Sequence, residues 1–477
     1  MITTRRNIKP ALLAAVWIVL VPLLAWLAAS DVKAGAMIAV GIIGGAMCLT
    51  CLVNYRLGYY IYITVTLCIR LGERMSGAEQ QVGLVMDALL WCVLFGCIFQ
   101  RGHESAKKVN YAKDPLLITL YLYTLVQIIE VVNPAGPGFL VWVIFMRVFI
   151  RNLIMVYIGL NIFNSMKDVR TFFKFWLVIS TLAAVYACIQ QWFGLPSYEL
   201  AFIARYPEKF RTVIILSGTR VYSFMSDPAV FGILMAGNIA ICVILLTASK
   251  HAISIPKKLL ILISAGLQML ALGYSGTRTG YVMLPLGLLI FFIANLQKRN
   301  TIIIAMVCGL VGLVILYGPF HGNPTIIRVR TAFLGKQDES VNVREVNRHR
   351  IQPYIYSHPI GGGLNTTGGN GATFAPGHEL ADFQTDNGYL RAVLETGWLG
   401  LLVCGAYFFF IIQAAIINFF KVKDELDKLL MISIAAVVFS IAIAQYAQDA
   451  VSLVESALLL NIFIAIVIKV RYTYDAS

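Results

Sequence analysis

Four arginines stand inside or at the ends of long apolar runs. Arg147 and Arg151 lie four residues apart in the run 138–163, so they share one face of the helix that this run predicts. A lipid-facing arginine costs about 2.5–3.5 kcal/mol on insertion scales. The pair is therefore expected to face the bundle interior or a polar cavity and to bind an anionic group; the structural alternative is an intramembrane salt bridge to Asp87 or Glu130. Arg220 stands in Ser217-Gly-Thr-Arg-Val-Tyr-Ser-Phe-Met-Ser-Asp-Pro-Ala-Val-Phe-Gly232, just ahead of a predicted span. Arg278 stands in Gly273-Tyr-Ser-Gly-Thr-Arg-Thr-Gly280, where one span breaks and the next begins. A Gly/Ser/Thr-rich break followed by a helix offers free backbone N–H groups beside a guanidinium fork, a cradle for a diphosphate at membrane depth. The alternative is an arginine snorkelling to the interface. Taken together, the four suggest a site for a polyanionic lipid head group.

A carboxylate completes the set. Asp386 opens Thr385-Asp-Asn-Gly-Tyr-Leu-Arg391, which leads from a long loop into a span; it is placed either to cap that helix or to accept a proton. In the same loop Arg344, Glu345, Arg348, His349 and Arg350 cluster, with His358 and His378 further on. Arg344 and Arg348 share a helical face and are read as reaching glycan or phosphate, or as a solvated charged face. Glu345 is an alternative base. The histidines are read as loop residues that hydrogen-bond locally or touch a ligand. No Asp-x-Asp pair of the metal-binding kind faces outward, so neither a metal nor a cofactor is expected.

The elements that must position these residues follow from composition. Of 477 residues 59% are hydrophobic and 13% charged, against roughly 25% charged in a soluble domain, which excludes a cytosolic enzyme. About fourteen runs approach the ~20 apolar residues of a spanning helix, at roughly 11–29, 35–53, 57–70, 81–99, 115–133, 138–163, 172–193, 228–247, 257–273, 279–296, 301–317, 397–420, 429–446 and 450–469. One of these is short and one carries Arg147 and Arg151, so twelve to fourteen helices are expected. Alternate connections are basic, including Lys107/Lys108, Lys167/Arg170, Lys257/Lys258, Lys298/Arg299 and Lys421/Lys423, which predicts that both termini are cytoplasmic. These segments carry the whole net charge of +14, so the excess reads as an orientation signal and not as a nucleic-acid footprint. All nine cysteines fall in apolar runs, where the side chain is a small hydrophobe. The chain divides into a transmembrane bundle at 1–317 (about eleven spans, with an outward loop at 194–227), a large outward loop at 318–386, and C-terminal membrane helices at 387–477. Recurrent aromatics in the large loop predict a folded cap.

The pattern Asp386-Asn387, nine residues, then Gly397-x-x-Gly400 resembles the His-Asn/Ser-x9-Gly-x-x-Gly signature of the O-antigen ligase and Wzy-type polymerase superfamily. Ser275-Gly-Thr-Arg278, Asp227-Pro-Ala-Val-Phe-Gly232 and His358-Pro-Ile-Gly-Gly-Gly363 support the resemblance, which covers residues ~217–400. It implies an all-α polytopic membrane protein of the GT-C-like class with an extracytoplasmic cap. It also implies a metal-independent glycosyltransferase in the bacterial inner membrane. Its donor would be an undecaprenyl-diphosphate-linked oligosaccharide and its acceptor a glycan, with a flippase and a chain-length regulator as pathway partners and no nucleic acid. On that reading Asp386, Arg278 and Arg220 are catalytic, and Arg147 and Arg151 join Arg220 and Arg278 on the diphosphate. Arg344, Glu345, Arg348, His349, His358, His378 and Asn387 then contact glycan. Gln448, Asp449 and Glu455 are minor candidates for sugar binding. Ligases carry His where this chain has Asp386, so the chain looks more like a polymerase. A ligase acting on lipid A core, a transporter or flippase, and a structural scaffold are the alternatives.

Overall fold

The computed structural model describes residues 32–76, 82–101, 111–215, 218–334, 339–385 and 387–474. The expected first span at 11–29 lies outside these. In chain order the helices are α1 (Val32–Val53), α2 (Tyr55–Ser76), α3 (Val82–Arg101), α4 (Pro115–Ile129), α5 (Phe139–Ile162), α6 (Met166–Phe193), α7 (Ser197–Arg205) and α8 (Pro207–Val213). There follow α9 (Pro228–Leu246), α10 (Ile255–Ser275), α11 (Arg278–Ala294), α12 (Arg299–Tyr317), α13 (Pro324–Leu334), α14 (Glu339–Ser357), α15 (Gly368–Phe374), α16 (Gly388–Lys421), α17 (Glu425–Ala447) and α18 (Val454–Tyr474). A two-residue pair of strands, β1 (Ile214–Ile215) and β2 (Gly218–Thr219), joins α8 to α9.

Among the described residues nine helices are long and apolar enough to cross a membrane, and Ile38–Val53 and Arg278–Ala294 are shorter apolar helices. Helices α2 and α18 occupy the expected spans at 57–70 and 450–469. The protein is an all-α, multi-pass membrane protein.

Two compact units divide the chain. The first holds residues up to 62 together with 87–104. Within it the Gln100 amide donates to the carbonyls of Leu52 (3.0 Å) and Val53 (2.7 Å), satisfying the C-terminal end of α1. The second unit holds residues 63–86 and everything from 105 onward. At its centre are α9 and α17, which are apolar on every side, as helices buried on every side must be. Around them, α10 and α11 pack on α9, α11 and α16 on α17, α6 on α10, α4 on α16 and α5 on α18. Asn238 of α9 accepts from the Trp176 indole at 2.6 Å and donates to Ser180 at 2.9 Å, joining α9 to α6 by the polar side-chain pairs that hold helices together in lipid.

The large loop folds, as its aromatics predict. Ile351, Tyr354 and Ile355 of α14 form one apolar cluster with Leu380 and with Val393 and Leu394 of α16. This cluster fixes the loop against the first turns of α16.

Candidate functional site

The assembly around Arg278 begins with two backbone breaks. Gly276 takes the left-handed conformation (φ 60°, ψ 25°) and ends α10. Two residues later Arg278 begins α11. Asp227 caps α9, its Oδ1 accepting from Ala229 N (2.7 Å) and Val230 N (3.0 Å), with Pro228 in the first helical position, where its missing N–H costs nothing. The two breaks lock together. Thr277 Oγ1 donates to Pro228 O at 2.6 Å, and a Cβ at Gly232 would stand 2.4 Å from Thr277 Cβ, so glycine alone permits the approach. Arg220 is drawn into the same place: Nε donates to Ser275 O (2.9 Å), Nη1 to Thr212 O (3.1 Å) and Nη2 to Thr277 Oγ1 (3.4 Å). A third cation comes from the large loop. Arg328 of α13 places Nε 3.0 Å from where a Cβ at Gly276 would stand.

Arg220, Arg278 and Arg328 are all half-buried. Burial pushes the Arg220 guanidinium down to about 10, and the neighbouring Arg328 and Arg278 charges act the same way against Asp227 and Tyr281. Burial also lowers Arg328, with Arg278 again unfavourable. Arg220 and Arg328 remain charged at neutral pH, and an anion bound among the three arginines would relieve their mutual repulsion.

Arg74 of α2 holds the segment leading to Asp227. It donates to Met225 O (2.9 Å) and Ser223 O (2.6 Å), lies over the Tyr222 ring at 4.4 Å, and pairs with buried Glu199 at 3.4 Å. Ser226 N in turn donates to Glu455 of α18 at 3.2 Å. Arg74 is not conspicuous in the sequence because it follows the short apolar run 57–70.

The second assembly is the Gly397-x-x-Gly400 motif. Helix α16 breaks at Gly397 (φ 66°, ψ −165°), in a region that only glycine enters readily. The break frees backbone groups, and the loop His358–Gly363 takes them up. Gly362 N donates to Leu394 O (2.8 Å), Gly363 N to Glu395 O (3.0 Å), and Trp398 N to Pro359 O (3.1 Å). Gly361 (φ 82°) lies so close that a Cβ there would be 2.6 Å from Glu395 C. The two sequence motifs are thus two halves of one joint.

Just before the joint, Arg391 organises a polar wall. Its Nε donates to Glu395 Oε1 (2.9 Å), Nη1 to Asp449 Oδ2 (2.8 Å) and Nη2 to Asn365 Oδ1 (2.8 Å). Thr367 Oγ1 donates to Glu395 at 2.5 Å and Gln445 Nε2 to Asp449 at 3.1 Å. Asn365 turns toward Arg391 from a left-handed φ of 58°, a conformation asparagine tolerates. The wall borders a cavity of about 260 Å³ between α4, α5, α16 and the segment after α17. Arg391 and Glu395 are not among the site residues expected from sequence. The signal was present: two charges spaced i, i+4 in an apolar helix warrant the same suspicion as Arg147 and Arg151. The segment 449–455 connects the assemblies, since Asp449 meets Arg391 and Glu455 meets Ser226.

The other predicted residues are distributed as follows. The cavity takes Phe145, Val148, Phe149 and Asn152 from α5. Arg147 and Arg151 point about 100° or more around that helix from the centre of this stripe, with Arg147 against Gly83 of α3. Asn387 caps α16, accepting from Tyr389 N (2.9 Å) and Leu390 N (3.1 Å). Asp386 itself lies outside the described residues, as do the side chains of Arg344 and Glu345 on α14. Arg348 stacks over Tyr446 at 4.3 Å and donates to its hydroxyl, while His349 and Arg350 are exposed. His358 stacks on Tyr354 with centroids 4.0 Å apart, its Nδ1 2.9 Å from Ser357 Oγ. His378 Nδ1 accepts from Leu380 N at 3.0 Å, which requires a neutral ring at that nitrogen, and burial holds its pKa below the ordinary 6.5. Among the described residues no group of three His, Cys, Asp or Glu side chains could hold a metal ion.

No curated protein matches the chain. Residues 259–405 match the family profile described as O-antigen ligase. The matched segment includes the Ser275–Arg278 break, Arg328, the His358–Gly363 loop and the Gly397 joint, while Arg220, Asp227 and Asp449 lie outside it. The chain is thus a multi-pass membrane protein that is similar, over residues 259–405, to the O-antigen ligase family.

Proposed function

We infer that the protein polymerises undecaprenyl-diphosphate-linked oligosaccharide repeat units by glycosyl transfer at the outer face of the bacterial inner membrane. The observation that carries this reading is the convergence of Arg220, Arg278 and Arg328 on the start of α11. In the transfer, the acceptor hydroxyl oxygen attacks the anomeric carbon, and the bond from that carbon to the diphosphate oxygen breaks. The leaving diphosphate keeps the electron pair, and its growing charge is met by guanidinium groups, whose charge persists at any working pH. The acceptor proton passes to a carboxylate, which we assign to Asp386. Arg147 and Arg151 supply a further contact with the anionic head group, and no metal is required by this chemistry. Both termini face the cytoplasm, the outward loops are 194–227 and 318–386, and a flippase and a chain-length regulator work in the same pathway.

Asp386 in place of the ligase histidine favours a polymerase. The family description favours the second reading, an O-antigen ligase acting on lipid A core. Purified protein in detergent, given a synthetic undecaprenyl-diphosphate oligosaccharide, separates the two by gel or mass analysis. A ladder of added repeats is the expected product; a single glycan transferred only to lipid A core makes it a ligase. No covalent product, with movement across a vesicle instead, ends the enzyme reading. Arg220→Ala and Arg278→Ala are expected to abolish chain growth while the protein still inserts.

A further inference from the structure

The geometry points to a second binding site: the cavity walled by Arg391, Glu395 and Asp449 holds one neutral sugar ring of the glycan substrate, with the Gln127 side chain as a direct contact. This rests on the reading of the chain as a glycosyltransferase.

Charge decides against an anion there. Arg391 spends Nε, Nη1 and Nη2 on Glu395, Asp449 and Asn365, so it has little left for a phosphate. One guanidinium faces two carboxylates, and the wall carries an excess of negative charge. The diphosphate therefore belongs with Arg220, Arg278 and Arg328, and the cavity suits an uncharged ligand that both donates and accepts hydrogen bonds. Gln127 supplies the independent observation. It is 4% exposed and lines the cavity, yet among the described residues its Oε1 accepts no hydrogen bond. A buried amide oxygen without a donor is costly, and a sugar hydroxyl would satisfy it. Asn370 and Asn152 add amides to the same wall.

Aromatic side chains supply part of the remaining surface. Tyr123, Phe145 and Phe149 line it, Tyr123 and Phe149 meeting edge to face at 5.9 Å, and offer rings to the apolar C–H faces of a pyranose. At about 260 Å³ the cavity lies just below the ~300 Å³ lower end of drug-sized pockets, a size for a single hexose or hexosamine. Gly388, two residues after Asp386 in the chain, lines it.

The test is saturation-transfer NMR on the full chain in nanodiscs, titrated with a panel of neutral methyl glycosides, with glucuronic acid and inorganic diphosphate as charged probes. At least one neutral glycoside is expected to bind saturably, and Gln127→Leu, which keeps the volume, to weaken it about tenfold. Asn370→Ala is expected to weaken it as well, guarding against a fold defect in the first variant. Diphosphate binding is expected to respond to Arg278→Ala and not to Gln127→Leu. Unchanged glycoside affinity in both Gln127→Leu and Asn370→Ala, no saturable neutral binding, or preferential Gln127-dependent binding of glucuronic acid each overturns the proposal. The two readings also fail separately. Glycan transfer without Gln127-dependent sugar binding removes only this site, whereas sugar binding without glycan transfer by the wild type removes only the proposed function.

Discussion

Gly397→Ala should undo the joint on which the site is built. The backbone at φ 66°, ψ −165° is open to glycine almost alone, so alanine there costs about 1–3 kcal/mol before any contact is counted. Its Cβ would then stand 2.1 Å from Pro359 O and 2.7 Å from the backbone of Ile360. That loop cannot yield without loosening the bonds Trp398 N to Pro359 O, Gly362 N to Leu394 O and Gly363 N to Glu395 O, each contributing about 0.5–1.5 kcal/mol. The sum is roughly 3–7 kcal/mol against the docked loop. Because Glu395 lies at the break and anchors Arg391, the cavity wall should shift with it. Gly405→Ala is the matched control: it lies in the same helix with nothing within 4 Å of its added Cβ, and should change stability by no more than about 1 kcal/mol. Thermal unfolding of the two variants in the same detergent, with glycan transfer measured alongside, gives the comparison. If Gly397→Ala melts and turns over like Gly405→Ala, the joint does not organise the site and the reasoning is wrong.

Arg328→Ala should lower the initial rate of glycan transfer by about 100-fold or more, as removal of one charge-stabilising donor does, with insertion intact; a near-normal rate would take Arg328 out of the site. Glu199→Gln leaves Arg74 buried without its counter-charge and should destabilise the fold by about 3–5 kcal/mol, with the Glu199→Gln, Arg74→Met double variant recovering part of the loss in thermal unfolding. His378 has a folded pKa below its unfolded 6.5, so the unfolded chain binds the extra proton first. The stability of the large loop should therefore be full above about pH 7 and fall as pH drops through 6.5, the loss ending below the folded pKa. Limited proteolysis of the loop across pH 5–8 reads this, and His378→Gln should flatten the profile.

Much of the molecule is legible in its sequence because lipid imposes local rules. A helix in hydrocarbon must be long and apolar, so the runs show directly, and a polar break between runs shows equally well: Ser275–Arg278 and Asp227–Gly232 are visible as departures from the pattern. The recurrence of aromatics in 318–386 likewise announces a loop with a core, which the packing of Ile351, Tyr354 and Ile355 on Leu394 supplies. Tertiary structure alone decides the partnerships. Arg391 meets Asp449 across 58 residues and Asn365 across 26, Arg328 reaches Gly276 from a different helix, and the N–H groups of Gly362 and Gly363 are spent on carbonyls left free because Gly397 breaks α16. Hydropathy is a property of a stretch of chain, whereas a charge in a membrane is tolerable only through the groups that fold against it. The sequence therefore tells which residues need partners, and the packing of helices tells which partners they find.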